Sequence, residues 1–130
     1  VGEGKEKEKE KEKEVSNGFE KASGTAITSA VFGGDGAIYF WARLPTAWRD
    51  DVAAVKWLID EYGICVVPGS AFGAPGHVRI SFANLAPGAR FEEAADRLER
   101  GLKAMVDLDP EQASKQLRQI REDLTRAGVV

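Results

Sequence analysis

Val66-Val67-Pro68-Gly69-Ser70-Ala71-Phe72-Gly73, followed by His77-Val78-Arg79-Ile80-Ser81-Phe82-Ala83, is the stretch that decides the fold. A short apolar run ends in a Pro-Gly turn, and a loop of small residues leads into a second strand pattern. Val78, Ile80 and Phe82 alternate along that strand, which leaves His77, Arg79 and Ser81 on its other face. An arginine in the middle of such a strand keeps its charge and must desolvate its stem, so it is expensive unless it meets an anion. Its planar fork matches a carboxylate through two hydrogen bonds. Spacing alone slightly favours an exposed or internally paired Arg79. The small-residue loop of residues 68–76 shifts the balance, because it lets backbone approach a ligand closely while Phe72 walls the pocket.

Working outward, Ala37 to Leu44 is nearly continuous apolar and aromatic and is stopped by Pro45. It reads as a strand buried on most of its surface, with Ile38, Phe40, Ala42 and Leu44 on one face and Ala37, Tyr39, Trp41 and Arg43 on the other. Gly33-Gly34-Asp35-Gly36 is a turn before it. It is not a phosphate loop, since it precedes a strand and lacks the Lys-Ser/Thr ending. Asp50 or Asp51 caps a helix running to Tyr62, with Gly63 past its end and Val52, Val55, Ile59 and Tyr62 at helical spacing. Ile64 to Val67 is a short buried strand.

After Pro87-Gly88 comes a long helix with the stripe Phe91, Ala94, Ala95, Leu98, Leu102 and Met105. Asp109-Pro110 starts another, with the stripe Ala113, Leu117, Ile120 and Leu124, ended by Gly128. The order strand-helix-strand-strand-helix, with an extra C-terminal helix, implies a small two-layer α+β domain whose helices cover one sheet face. The folded part, roughly 75 to 95 residues, buries a modest core.

The chain has 130 residues, 43% hydrophobic and 30% charged, which fits one globular domain at most. A net charge of −3 gives no reason to expect nucleic acid. No window approaches a transmembrane span and no signal peptide is evident, so no membrane partner and a cytoplasmic location are expected. The single cysteine, Cys65, excludes an internal disulfide and a cysteine-based zinc site. Its apolar neighbours predict a packed, inert thiol. Residues 5–14 repeat Lys-Glu five times. Strict alternation sets attractive i,i+3 against repulsive i,i+4 pairs and offers no apolar face, so a solvated tail is expected. Residues 26–32 fit a short strand or a helix equally.

No catalytic or metal-binding residue stands out. His77 lacks a triad pattern and reads as a surface or strand-start residue. Arg43 reads as exposed or stacked. Asp50, Asp51, Asp60, Glu61, Glu92, Glu93, Asp96 and Glu99 read as solvated helix faces. Trp41, Trp48 and Trp57 read as core or interface residues.

Gly36 to Pro45, Tyr62 to Gly73 and His77 to Ala83, in this order and spacing, resemble the small C-terminal domain of class I/II aminotransferases, the fold-type I enzymes that depend on pyridoxal phosphate. The likeness covers about residues 33–106 and is greatest to the plant branch that uses aromatic amino acids, methionine or aspartate. It implies that Arg79 binds the α-carboxylate of an amino or keto acid, that Phe72 borders that pocket, and that the loop of residues 68–73 lies near a domain cleft.

The family's cofactor machinery, including the Schiff-base lysine, lies upstream in a large domain, and nothing here matches it. Lys21-Ala22-Ser23-Gly24 only echoes a Ser-Lys-x-x-Gly motif without its serine, and Lys21 reads as a linker lysine. The resemblance therefore implies a tail and linker over 1–24, the small domain over 25–108 and a helical extension over 109–130. It implies no tight binding of pyridoxal phosphate by this chain, no transamination by it alone, and an exposed face where a large domain or homodimer partner would dock. The alternatives are a non-catalytic carboxylate-binding or protein-interaction module, and a remnant without function.

Overall fold

The computed structural model describes residues 31–33, 38–81 and 85–130. The readings of the Lys-Glu run, Lys21, residues 26–30, the turn at residues 34–36, Phe82 and Ala83 lie outside them. Chain contacts separate residues 1–31 from residues 32–130, and the description below concerns the second unit.

The strands are β1 (Val31–Gly33), β2 (Tyr39–Arg43), β3 (Val67–Pro68) and β4 (His77–Ser81). The helices are α1 (Asp51–Tyr62), α2 (Ala89–Asp107) and α3 (Pro110–Arg126). One sheet has the order β1-β2-β4-β3. β2 and β4 are antiparallel, with Trp41 opposite Arg79, Ala42 opposite Val78 and Arg43 opposite His77. β3 joins the other side of β4 through Val67 opposite Arg79 and Pro68 opposite Val78. This is the expected α+β domain.

Period-2 alternation gives the sheet two unlike faces. Ala42 and Val78 are buried, and Ile80 packs against the same core. Helices cover this side: α1 lies against β3 and β4, while α2 and α3 pack on α1. Trp48, in a short 3-10 turn (Thr46–Trp48), is wholly buried at the centre. Its ring centroid lies 4.5 Å from that of Trp57, and its Nε1–H donates to the Met105 carbonyl at 2.9 Å. Both needs of a buried indole, apolar contact and a hydrogen-bond acceptor, are thereby met.

Helix ends follow local chemistry. The Asp50 side chain accepts the Ala53 N–H at the start of α1, and Gly63 closes that helix in the left-handed conformation at φ 63°. Asp109 caps α3 by accepting from Glu111 and Gln112, with Pro110 at the first helical position. Arg121 on α3 reaches back to grip the Asp50 carboxylate with two nitrogens. Hydrogen bonding to Asp50 raises the Arg121 pKa; burial opposes this, and the charges of Asp50 and Asp51 reinforce it.

Four readings need correction. The strand at residues 37–44 is not buried on most of its surface: Tyr39 and Arg43 are exposed on the face that the helices leave open, and Ile38, just before β2, is exposed as well. On α1, Ile59 faces solvent, whereas Ala53, Ala54, Val55, Trp57 and Leu58 are buried. A helix touched by the sheet and by two other helices buries a wide arc and not a single stripe. On α2, Phe91 and Ala95 are exposed, and Gly101 and Met105 are the buried positions. The strand expected at residues 64–67 shrinks to Val67–Pro68, and Cys65 is exposed. After the left-handed turn at Gly63, exposed and covered residues alternate, which puts Cys65 on the solvent side. The α3 stripe, by contrast, matches: Ala113, Leu117 and Leu124 are buried and Ile120 packs against the core.

Candidate anion site on the open sheet face

The face of the sheet away from the helices carries Tyr39, Trp41 and Arg43 from β2 and His77, Arg79 and Ser81 from β4. The segment after β3 folds over it. Gly69–Phe72 forms a short 3-10 turn closed by Gly73 at φ 77°, whose N–H bonds to the Ser70 carbonyl at 3.1 Å. Ala74 N–H donates to the Gly69 carbonyl at 3.0 Å. Gly69 is required by close approach: a Cβ there would stand 2.3 Å from the Ala74 oxygen and 2.8 Å from the His77 carbonyl oxygen. Only a residue without a side chain lets this turn lie so flat against β4.

The turn brings Phe72 to Arg79, the two residues singled out in the sequence. The Arg79 guanidinium carbon lies 4.7 Å from the Phe72 ring centroid and 4.3 Å from that of Tyr39. Both distances are within cation–π range. Trp41 meets Phe72 edge-on at 6.2 Å and stacks on His77 at 5.6 Å with planes 16° apart. The guanidinium therefore sits among aromatic rings. Its Nε is buried and has no hydrogen-bond partner, and among the described residues no carboxylate pairs with it. Phe72 remains 52% exposed, so the nest is open to solvent on that side.

Three participants escaped the sequence reading. Tyr39 and Trp41 could be placed on the Arg79 face by alternation, but their contact with a loop residue could not. Asp51, read as part of a solvated helix face, is only 4% exposed, and its Oδ2 accepts the Ser70 N–H at 2.6 Å. No local pattern shows that a loop 19 residues away will cover it. Of the remaining acidic residues, Asp60, Glu93 and Asp96 pair with Lys56, Arg97 and Arg100 on their own exposed helix faces, as expected. His77 is half-buried at the start of β4, with Nδ1 3.1 Å from the Pro75 carbonyl. No group of acidic, histidine or cysteine residues able to hold a metal occurs among the described residues, and no helix among them is long and apolar enough to cross a membrane.

The sequence profile of the family described as aminotransferase class I and II matches residues 3–98. The chain belongs to the class I and II aminotransferases. The match starts upstream of the segment at 33–106 that carried the resemblance, and it stops before α3. Among individual relatives, the chain is 45% identical to aromatic aminotransferase ISS1 of Arabidopsis thaliana over 76 residues, 58% of this chain and 19% of that protein. It is 42% identical to an aspartate aminotransferase of Thermotoga maritima over 65 residues, 50% of this chain and 16% of that protein. It is 40% identical to aromatic-amino-acid aminotransferase 2 of Thermococcus litoralis over 70 residues, 52% of this chain and 18% of that protein. The chain thus spans less than a fifth of the length of these relatives.

Aminotransferases of this family depend on pyridoxal phosphate, which needs an amine to form its imine and a cradle for its phosphate. The lysines among the described residues are Lys56, Lys103 and Lys115. Lys56 and Lys103 pair with Asp60 and Asp107 on their own helices, and Lys115 is exposed on α3. None belongs to the strands or loop that form the Arg79 nest. The described residues do not fit the cofactor.

Proposed function

We propose that Arg79 is the receptor for the carboxylate of an amino or keto acid, with Phe72 as the wall of its pocket, within an aminotransferase small domain spanning residues 25–108 and extended by a helix over 109–130. The observation that carries this reading is the state of Arg79. A permanently charged fork stands in a half-buried aromatic nest with no acidic partner among the described residues. A carboxylate supplies what is missing: two acceptors in the plane of the guanidinium and a neutralising charge. Tyr39 and Phe72 lie against the guanidinium and limit its sideways freedom, which favours one direction of approach.

In a complete enzyme this site would orient the substrate by its carboxylate while the rest of the protein performs the amino transfer. This chain alone is expected to turn over no substrate. Incubation with pyridoxal phosphate and an amino donor, followed by assay for keto acid, checks that expectation; turnover abolished by Lys21→Ala would contradict it. The exposed Cys65 thiol suits a reducing, cytoplasmic setting.

The binding claim is tested by titrating the 15N-labelled chain with succinate. The Arg79 side-chain N–H signals should move and saturate, and Arg79→Ala should abolish the saturable response. Equal binding by Arg79→Ala would overturn the assignment. A second reading has its own observation: Phe32, Ile38, Tyr39 and Phe72 are exposed large apolar residues on the strands and the site loop. Exposed apolar side chains such as Tyr39 and Phe72 beside the site suit a protein partner, either a large aminotransferase domain or a second subunit. Arginine-independent binding to a partner, without binding to small carboxylates, would favour that reading.

A further inference from the structure

We propose that Asp51 is a positioning residue for the Arg79 site: its carboxylate holds the Ser70 N–H and so sets Phe72 against the guanidinium. This rests on the reading of Arg79 as a carboxylate receptor. Asp51 is the buried charged side chain of the described core, and a carboxylate is not buried without compensation. Its compensation is the 2.6 Å hydrogen bond from Ser70 and its place in the first turn of α1, where the helix dipole favours negative charge.

Capping does not explain Asp51. Asp50 already caps α1 through the Ala53 N–H and also holds Arg121. The two neighbouring acids divide the work: Asp50 serves its own helix and α3, and Asp51 reaches across to the loop. Ser70 stands two residues before Phe72 in a single 3-10 turn. Phe72 itself is half-exposed, and its ring contacts are the edge of Trp41 and the Arg79 guanidinium. Those contacts are weak and open to water, so among the described residues the tie at Ser70 is the one hydrogen bond from the helical layer that restrains where the ring lies.

The test uses the full 15N-labelled chain and reads three quantities: exchange of the Ser70 amide, the shift of the Arg79 Nε–H, and the succinate Kd. The wild-type Nε–H should resonate upfield of its usual position because of the Tyr39 and Phe72 ring currents. Asp51→Ala should speed Ser70 exchange about tenfold or more, move the Nε–H downfield and weaken succinate by about tenfold. Asp51→Ser, which withdraws the acceptor but stays polar, should do the same. Asp51→Asn, whose carbonyl oxygen still accepts from Ser70, should restore all three readouts to within about threefold of wild type.

A wild-type Nε–H shift and Kd in folded Asp51→Ala or Asp51→Ser would overturn the proposal. So would loss of folding in both, which would make Asp51 a structural residue only. If the wild-type chain binds no succinate, the carboxylate reading falls. Ser70 exchange and the Nε–H shift still decide whether Asp51 positions Phe72.

Discussion

The two faces of one sheet follow opposite rules. On the helix-covered face, Ala42 and Val78 belong to one core with Leu58 and Trp48, Ile80 packs against it, and the indole N–H groups of Trp48 and Trp57 find acceptors in Met105 and Gln116. On the open face of the same strands, an arginine is left with a buried, unpartnered Nε and its guanidinium against the rings of Tyr39 and Phe72. The first face is satisfied and inert. The second carries a buried polar atom without a hydrogen-bond partner, and that contrast is the reason to propose function there.

The largest effect should come from breaking the satisfied face. Trp48→Ala removes a fully buried indole and leaves Met105 without its donor, a loss of about 3–5 kcal/mol. In a domain of this size that approaches the whole stability, and urea denaturation should find the variant largely unfolded. A variant with a wild-type midpoint would show that the core lies elsewhere.

Next in size is the hinge between the faces. Gly69→Ala drives a Cβ into the Ala74 and His77 backbone, which cannot move aside as a side-chain tip can. A loss of about 1–3 kcal/mol is expected, together with a displaced Phe72 ring visible in the Arg79 Nε–H signal. Stability loss without any change at Arg79 would separate the loop from the site.

A smaller effect is expected at the clasp between α1 and α3. The Arg121–Asp50 pair is partly exposed, 38% and 27%, so solvent screening limits it to about 0.5–1 kcal/mol. Arg121→Ala should lose that much, and less at high salt. The sign of any pH effect follows from the raised pKa of Arg121. Its stabilisation is fully present below the pKa of the unfolded chain and is lost only as pH rises through the higher folded value. Since an arginine titrates beyond the range in which proteins are studied, its protonation should leave stability flat from pH 6 to about 9. A salt-independent loss of several kcal/mol would mean that α3 is held differently.

Much of this architecture is legible in the residues themselves. Asp109-Pro110, the Ala113-Leu117-Ile120-Leu124 stripe and the Tyr62-Gly63 stop are local signals, and the structure uses them as read. The cost of a mid-strand charge beside a small-residue loop singles out Arg79 and Phe72, and the structure brings the two side chains together. The misreadings at Asp51 and Cys65 have different causes. The acid is covered by a turn distant along the chain, at Ser70, whereas the thiol is exposed by the local phase of the backbone after Gly63. Periodicity reports which residues share a face. It does not report which faces meet.

The smallest stability effect, and the most direct test, lies at Arg79. The urea midpoints of the wild type and Arg79→Met should be compared with and without succinate. Without ligand, the variant should be as stable as the wild type or slightly more so, because a buried, unpartnered polar group is replaced by an apolar one of similar length. Succinate should raise the wild-type midpoint and leave that of Arg79→Met unchanged. A variant clearly less stable than wild type, with succinate shifting both alike or neither, would contradict the account and make Arg79 a structural residue of the sheet.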